Sequence, residues 1–168
     1  MRSVLVESIS FDRVVIIHQS YSGDGSMSCI EEVAADMRII VGISEKDFGA
    51  PLQWAIDTFH SSASSLSVIH CIVGRLPTEM PYPNDEDVAR GQSIVDEAVA
   101  FAQDHEADVV AEVREGFAGE ILVASSTGAG LLVIGSSRSH HLFHAPGSSI
   151  VTYCVRHARC PLAIVPAD

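Results

Sequence analysis

Positive charge is scarce in this sequence. Lysine and arginine together number 10, against 22 aspartate and glutamate residues, and the formal net charge is −12. Apart from a weak group at Arg156, His157 and Arg159, the basic residues are scattered along the chain. Binding to a nucleic-acid backbone requires clustered Lys and Arg, so the composition argues against a nucleic-acid partner.

Secretory and membrane-spanning features are lacking as well. No apolar run is long enough to cross a bilayer, and no apolar leader segment follows a basic start. The cysteines, which are Cys29, Cys71, Cys154 and Cys160, contain no C-x-x-C pair. We therefore expect reduced, structural thiols and, by elimination, a cytoplasmic location without a membrane partner.

What the sequence does contain is a regular alternation of strand and helix patterns. The 168 residues are 47% hydrophobic, which suits one domain with a single core. From Met37 onward, continuous apolar runs predict buried strands, and apolar residues at helical spacing predict helices between them. The predicted strands are 39–43, Ser65–Val73, Val109–Val113, Leu131–Gly135 and Leu162–Val165.

Alternating strands and helices imply parallel strands in an open sheet with helices on both faces. Ligands bind such sheets beyond the carboxyl ends of the strands. The segments to consider are therefore Ser44–Gly49, Gly74–Pro83 and Gly135–Ser149.

Residues 1–36 differ from the rest of the chain. A polar stretch, Gln19–Ser26, separates short β-branched runs from the regular part. We interpret residues 1–36 as an extension that adds little to the core, and 37–168 as the domain. The alternative interpretation is an extra edge strand at Val14–His18.

Several segments, taken in order and spacing, resemble the universal stress protein family over about Met37 to Pro166. They are Val41-Gly42-Ile43, Trp54-Ala55, Val68-Ile69-His70, Leu131 to Ser136, and Arg156 to Val165. The resemblance implies a Rossmann-like α/β fold whose five-stranded parallel sheet has the strand order 3-2-1-4-5. It also implies a homodimer in which Leu162, Ala163, Ile164 and Val165, expected at the sheet edge, pair with their copies across a two-fold axis.

The phosphate loop departs from the pattern of nucleotide-binding members of that family. Those members carry a glycine, two residues, a second glycine, nine residues, and then Gly-Ser or Gly-Thr at a helix start. Counting from Gly135, this chain has Arg138 at the second glycine and Ser148-Ser149 at the last pair. A shift of one residue would use Gly147-Ser148 instead. Glycine there lets backbone N–H groups approach phosphates, so the resemblance implies a degenerate loop.

Two further positions complete the candidate nucleotide or anion pocket of Ser44, Cys71, Gly135, Arg138, Ser148 and Ser149. Ser44 stands where ATP-binding relatives have an aspartate that holds the sugar. Cys71 stands at a backbone contact to adenine, which places little demand on the side chain. We therefore predict no bound cofactor, with ATP as the ligand that the alternative would take.

Other polar residues have both a functional and a simpler interpretation. His140, His141 and His144 could bind a transition metal or respond to pH, but a solvated polar loop is the favoured interpretation, and no metal is predicted. Arg138 could fill the phosphate position with its own charge or bind an anion. His70 is expected to be a hydrogen-bonded core histidine.

Three functions are consistent with these patterns. The first is a non-enzymatic stress-response module that acts through dimerisation and an unidentified protein partner. The second is an ATP- or AMP-binding nucleotide sensor. The third is an adenylating or pyrophosphatase-type enzyme, which would need a glycine- and serine-rich loop where this chain has Ser44-Glu45-Lys46-Asp47. We favour the first and predict no catalytic residues.

Overall fold

Strands and helices alternate along the chain in a computed structural model that describes residues 10–11, 14–17, 37–45, 49–59, 64–72, 85–136 and 150–166. The strands are β1 (Ser10–Phe11), β2 (Val14–Ile17), β3 (Arg38–Ile43), β4 (Ser65–Ile72), β5 (Val109–Glu115), β6 (Leu131–Ser136) and β7 (Leu162–Pro166). The helices are α1 (Gly49–Phe59), α2 (Asp85–Asp104), α3 (Ala118–Ser125) and α4 (Ile150–His157).

The five strands β3 to β7 form a parallel sheet in the order β5-β4-β3-β6-β7. Numbered by their own succession, this order is 3-2-1-4-5, so the predicted fold is confirmed. In the register, Val41 of β3 lies between Val68 of β4 and Val133 of β6, and all three are fully buried. Such apolar runs arise because helices cover both faces of a parallel sheet.

Successive residues of β3 point into two different cores. Val41 packs with Leu52 of α1 and Ala98 of α2 on one face. Ile40 packs with Leu122 of α3 and with Cys154 of α4 on the other face. Two helices therefore cover each face of the sheet, and β3 lies at the centre of the sheet between the two helix layers.

Gly42 allows α3 to pack closely on the centre of the sheet. A Cβ atom at Gly42 would lie 3.0 Å from both Cδ atoms of Leu122 and 3.3 Å from Cγ2 of Ile134. Nearly all Cβ contacts in proteins are longer than these, so a side chain here would push the helix outward. The glycine thus fixes the spacing between β3 and α3 just before the strand reaches its carboxyl end.

Two strands that precede residue 37 extend the sheet to seven strands. β2 pairs antiparallel with β7, and β1 pairs antiparallel with β2. Val14 is 3% exposed and belongs to the larger core. The alternative of an extra strand therefore agrees with the structure at Val14–Ile17, while the division into an extension at 1–36 and a domain at 37–168 stays a prediction. The expectation that β7 lies at the sheet edge is wrong, because β2 covers it.

Candidate functional site

The carboxyl ends of β3, β4 and β6 lie side by side. Ile43 is paired with His70, and Gly42 is paired with Ile134, so the three strands end within two residues of one another. After β3 the chain enters α1 on one face of the sheet, and after β6 it leads to α4 on the other face. The switch point, at which crossovers diverge to opposite faces, therefore lies between β3 and β6.

The structure brings together three of the predicted site residues at this edge. Ser44 follows β3 directly and is exposed, Cys71 is the next-to-last residue of β4, and Gly135 is the next-to-last residue of β6. The other predicted residues, Arg138, Ser148 and Ser149, lie outside the described residues, as do His140, His141 and His144. The three described residues thus share one edge of the sheet, and the nucleotide or anion pocket that they were grouped into stays a prediction.

A cavity of about 210 Å³ opens beside the end of β4. It lies between the strand and the first turns of α2, with one wall from the segment after β3. Of the three predicted site residues that the structure describes, Cys71 alone lines the cavity. Its lining residues are Glu45, His70, Cys71, Ile72, Asp87, Arg90, Gly91 and Ile94.

Gly91 brings α2 close to the sheet and so shapes the cavity. A Cβ atom at this position would lie 3.0 Å from Cγ2 of Ile72, 3.1 Å from Cγ1 of Val113 and 3.5 Å from Cδ2 of His70. Glycine is a poor helix former and costs stability inside a helix. At this position the close packing that it allows between α2 and the sheet offsets that cost. A glycine on the apolar face of an otherwise good helix is the sequence pattern that could have predicted this close packing.

His70 joins the core to the cavity wall. It is 7% exposed, and its Nδ1 lies 3.3 Å from the carbonyl oxygen of Ile43 on the neighbouring strand. A carbonyl oxygen only accepts, so Nδ1 donates the hydrogen in this contact. The expectation of a hydrogen-bonded core histidine is confirmed, and the residue additionally lines the cavity.

The charges around the cavity do not favour an anion. The lining holds the carboxylates of Glu45 and Asp87 and one guanidinium, that of Arg90. The guanidinium also lies 3.8 Å from the Glu86 carboxylate on the exposed surface of α2. Among the described lining residues two carboxylates face one guanidinium, so this part of the wall suits a neutral or cationic group better than a phosphate.

The cysteine at this site is not an activated thiol. Burial raises the pKa of the Cys71 thiol to about 11, partly opposed by the positive charge of Arg114 and reinforced by the negative charge of Glu112. The thiolate is the nucleophilic form of cysteine. At neutral pH Cys71 is therefore protonated and serves as a small apolar wall of the cavity.

None of the described helices is long and apolar enough to cross a membrane. In the same part of the chain, His, Cys, Asp and Glu side chains form no group of three or more that could hold a metal ion.

The fold and the site together define a doubly wound α/β domain with a small cavity at the end of β4. The sequence model of the universal stress protein family matches residues 37–166. The chain therefore belongs to the universal stress protein family. A comparison with curated proteins finds no match.

Solved structures of universal stress proteins share this fold. A family member from Burkholderia pseudomallei is 22% identical, with a TM-score of 0.61 over 78% of this chain and 96% of that one. The Archaeoglobus fulgidus protein in complex with dAMP is 18% identical, with a TM-score of 0.60 over 77% and 97%. The Arabidopsis thaliana protein with AMP bound is 15% identical, with a TM-score of 0.58 over 79% and 92%.

Proposed function

We propose that this chain is a non-catalytic, cytoplasmic regulatory module of the universal stress protein family, which acts by self-association and by binding a protein partner. The observation that carries the proposal is the chemistry of the carboxyl edge. Here the Nδ1 hydrogen of His70 is used by the Ile43 carbonyl, and the Cys71 thiol is protonated at neutral pH. Among the described residues, this edge contains no nucleophile paired with a general base.

A nucleotide sensor is the second candidate function. The bound AMP and dAMP of the plant and archaeal proteins favour it, as does a cavity beside the switch point at the end of β4. His70 could accept a hydrogen bond from an adenine amino group through Nε2. In this form of the hypothesis, the cavity would hold the base alone.

Three features of the chain weigh against tight binding of ATP. The cavity of about 210 Å³ is smaller than ligand pockets of roughly 300–1,000 Å³. Its carboxylates oppose a phosphate, and Ser44 offers no charged acceptor to a ribose hydroxyl. A missing charged hydrogen bond costs roughly 1.5–3 kcal/mol, which is about one to two powers of ten in affinity.

Measurements of nucleotide release, binding and turnover distinguish the two candidate functions. We expect purified protein to release no nucleotide on denaturation, and calorimetry with ATP, AMP and cAMP to show no binding at sub-millimolar concentration. A turnover assay with ATP should also give no product above buffer. Stoichiometric release or sub-millimolar binding without turnover would establish the sensor instead, and turnover would contradict the non-catalytic proposal.

Restoring the residues of nucleotide-binding relatives provides a positive control. Ser44→Asp combined with Arg138→Gly and Ser148→Gly is expected to raise ATP affinity. The matched variant carries the same two glycines with Ser44→Asn, which is similar in size to aspartate but lacks its charge. A gain that depends on aspartate assigns the sugar position to residue 44. Equal gains in both variants would show that the loop glycines alone are responsible.

A further inference from the structure

The outer edge of β7 is occupied by a strand from the same chain. Val15, Ile16 and Ile17 of β2 lie opposite Ile164, Ala163 and Leu162 of β7 in antiparallel register. The family resemblance places the pairing surface for a second copy at this edge, and we propose that β2 is a displaceable cap that keeps it closed. The inference deepens the self-association in the proposed function and rests on it.

An uncovered β7 would be a strong template for strand pairing. Leu162, Ala163 and Val165 are buried and Ile164 is half-buried, so without β2 the strand would leave unpaired N–H and C=O groups between apolar side chains. Two copies related by a two-fold axis present their β7 strands antiparallel. This is the direction in which β2 already runs. One edge accepts only one strand, so β2 and a second β7 compete for it.

The cap is a smaller element than the strand on the other side of β7. β2 holds β7 through three paired positions, whereas β6 pairs with it at five. Within the described residues, β2 is covered on its far side only by the two residues of β1. Short elements with few ladder bonds open at lower free energy than core strands do. β2 can therefore leave the edge while the parallel sheet stays folded.

The connection to β3 keeps the cap close to its edge. Residues 18–37 link β2 to β3, and β7 and β6 lie between these two strands in the sheet. Three strand spacings amount to about 14 Å, whereas a segment of this length reaches roughly 60 Å when extended. The connection is therefore long enough for β2 to reach this edge, where it competes with a second copy as part of the same chain. We therefore expect the cap to exclude a second copy at micromolar protein concentrations.

Two copies can pair only when β2 has left the edge in both of them, and this lowers the apparent affinity of the dimer. If β2 covers the edge nine-tenths of the time, about a tenth of the chains can pair. Because both copies must be open, the apparent dissociation constant rises about a hundredfold relative to the uncapped edge.

Sedimentation velocity of full-length variants tests the cap. Val15→Pro combined with Ile16→Pro removes two successive N–H groups, one of which faces β7, because these groups alternate between the two edges of a strand. The matched control, Val15→Ile with Ile16→Val, keeps both N–H groups and the β-branched side chains. We expect monomers for the wild type and control, and dimers with a lower dissociation constant for the proline variant. Adding Ala163→Pro should return that variant to monomer.

Two other sedimentation results would overturn the proposal, and they have different consequences for self-association. A wild-type dimer that is insensitive to Ala163→Pro would leave self-association standing and place it on another surface. Monomers for all variants would remove both the pairing surface and the self-association. Hydrogen exchange of the unmodified chain tests the cap even if the prolines prevent folding. The amides of β2 and β7 should be protected in the monomer, and protection that rises with protein concentration would contradict the cap.

Discussion

The side-chain oxygen of Ser126 accepts a hydrogen bond of 2.9 Å from the backbone N–H of Arg159. The same hydroxyl donates to the carbonyl oxygen of Val123 at 2.7 Å. Ser126 ends α3 and is fully buried, while Arg159 lies between α4 and β7. A single hydroxyl thus ties the end of one helix to the turn that leads into β7.

Replacing this hydroxyl should destabilise the fold. Ser126→Ala leaves the Arg159 N–H without its acceptor, and an unsatisfied buried group costs about 1–3 kcal/mol. The neighbouring Ser125 provides the control, because its buried hydroxyl finds no hydrogen-bond partner among the described residues. Ser125→Ala is therefore expected to be neutral or stabilising. Urea unfolding measures both, and equal losses for the two variants would contradict the assigned role of Ser126.

Arg38 also stabilises the end of α3. Its Nη2 donates to the carbonyl oxygens of Ser125 and Thr127, each at 3.1 Å, where α3 ends. A cation complements the negative end of a helix. Arg38→Met keeps the apolar stem but loses both bonds, and we expect a loss of about 1 kcal/mol because the side chain is exposed.

Thermal unfolding in low and high salt checks the role of Arg38. The lysine variant, Arg38→Lys, keeps the charge without the planar fork and should fall between wild type and Arg38→Met. A methionine variant as stable as the wild type would show that these bonds contribute nothing measurable. A difference between variants that persists unchanged in high salt would argue for lost packing rather than lost charge.

The central strands could be predicted from sequence because their signal is local. The apolar runs ending at Ile43 and Gly135 specify strands buried on both faces, and the alternation with helices specifies parallel pairing. β5 extends to Glu115, two residues beyond its predicted end. Its final residues alternate in burial, with Val113 half-buried and Arg114 exposed, as on an edge strand with one open face.

The remaining features depend on contacts between distant parts of the chain. β2 is a strand because β7 offers an edge, and no local pattern in Val14–Ile17 reveals a partner near residue 163. The cavity combines residues from the segment after β3, the end of β4 and the start of α2. Glu45 and Gly91 acquire a shared role only when the sheet places them together, which spacing along the sequence does not show.

Val14 should contribute to stability despite its place ahead of the family domain. Its side chain is 3% exposed in the larger core, so Val14→Ala removes buried methyl groups at a cost of about 1–3 kcal/mol. The control is Val88→Ala on α2, where the valine is 41% exposed and the loss should be below about 0.5 kcal/mol. Urea unfolding measures the loss of stability in each variant. A Val14→Ala variant as stable as the control would support the original interpretation of a dispensable extension.

Alkaline pH should weaken the fold through its buried thiols. Burial is the main cause that raises the pKa of Cys154 and of Cys160 to about 11, from an ordinary value of 9.0. For Cys154 the neighbouring Cys71 and Cys160 add to the effect, whereas for Cys160 the hydroxyl of Ser126 opposes it. All three thiols border the core face that α3 and α4 cover.

The direction of the pH dependence follows from the order of the two pKa values. A thiol whose pKa is higher in the folded chain than in the unfolded chain stabilises the fold fully below pH 9 and loses this contribution as pH rises towards 11. Urea unfolding between pH 7 and 10.5 should show a falling free energy. Because tyrosine and lysine also titrate there, the decisive comparison is Cys154→Ala, which should be less stable at pH 7 but decline less steeply. Parallel curves for the two proteins would show that ionisation of Cys154 is not coupled to unfolding.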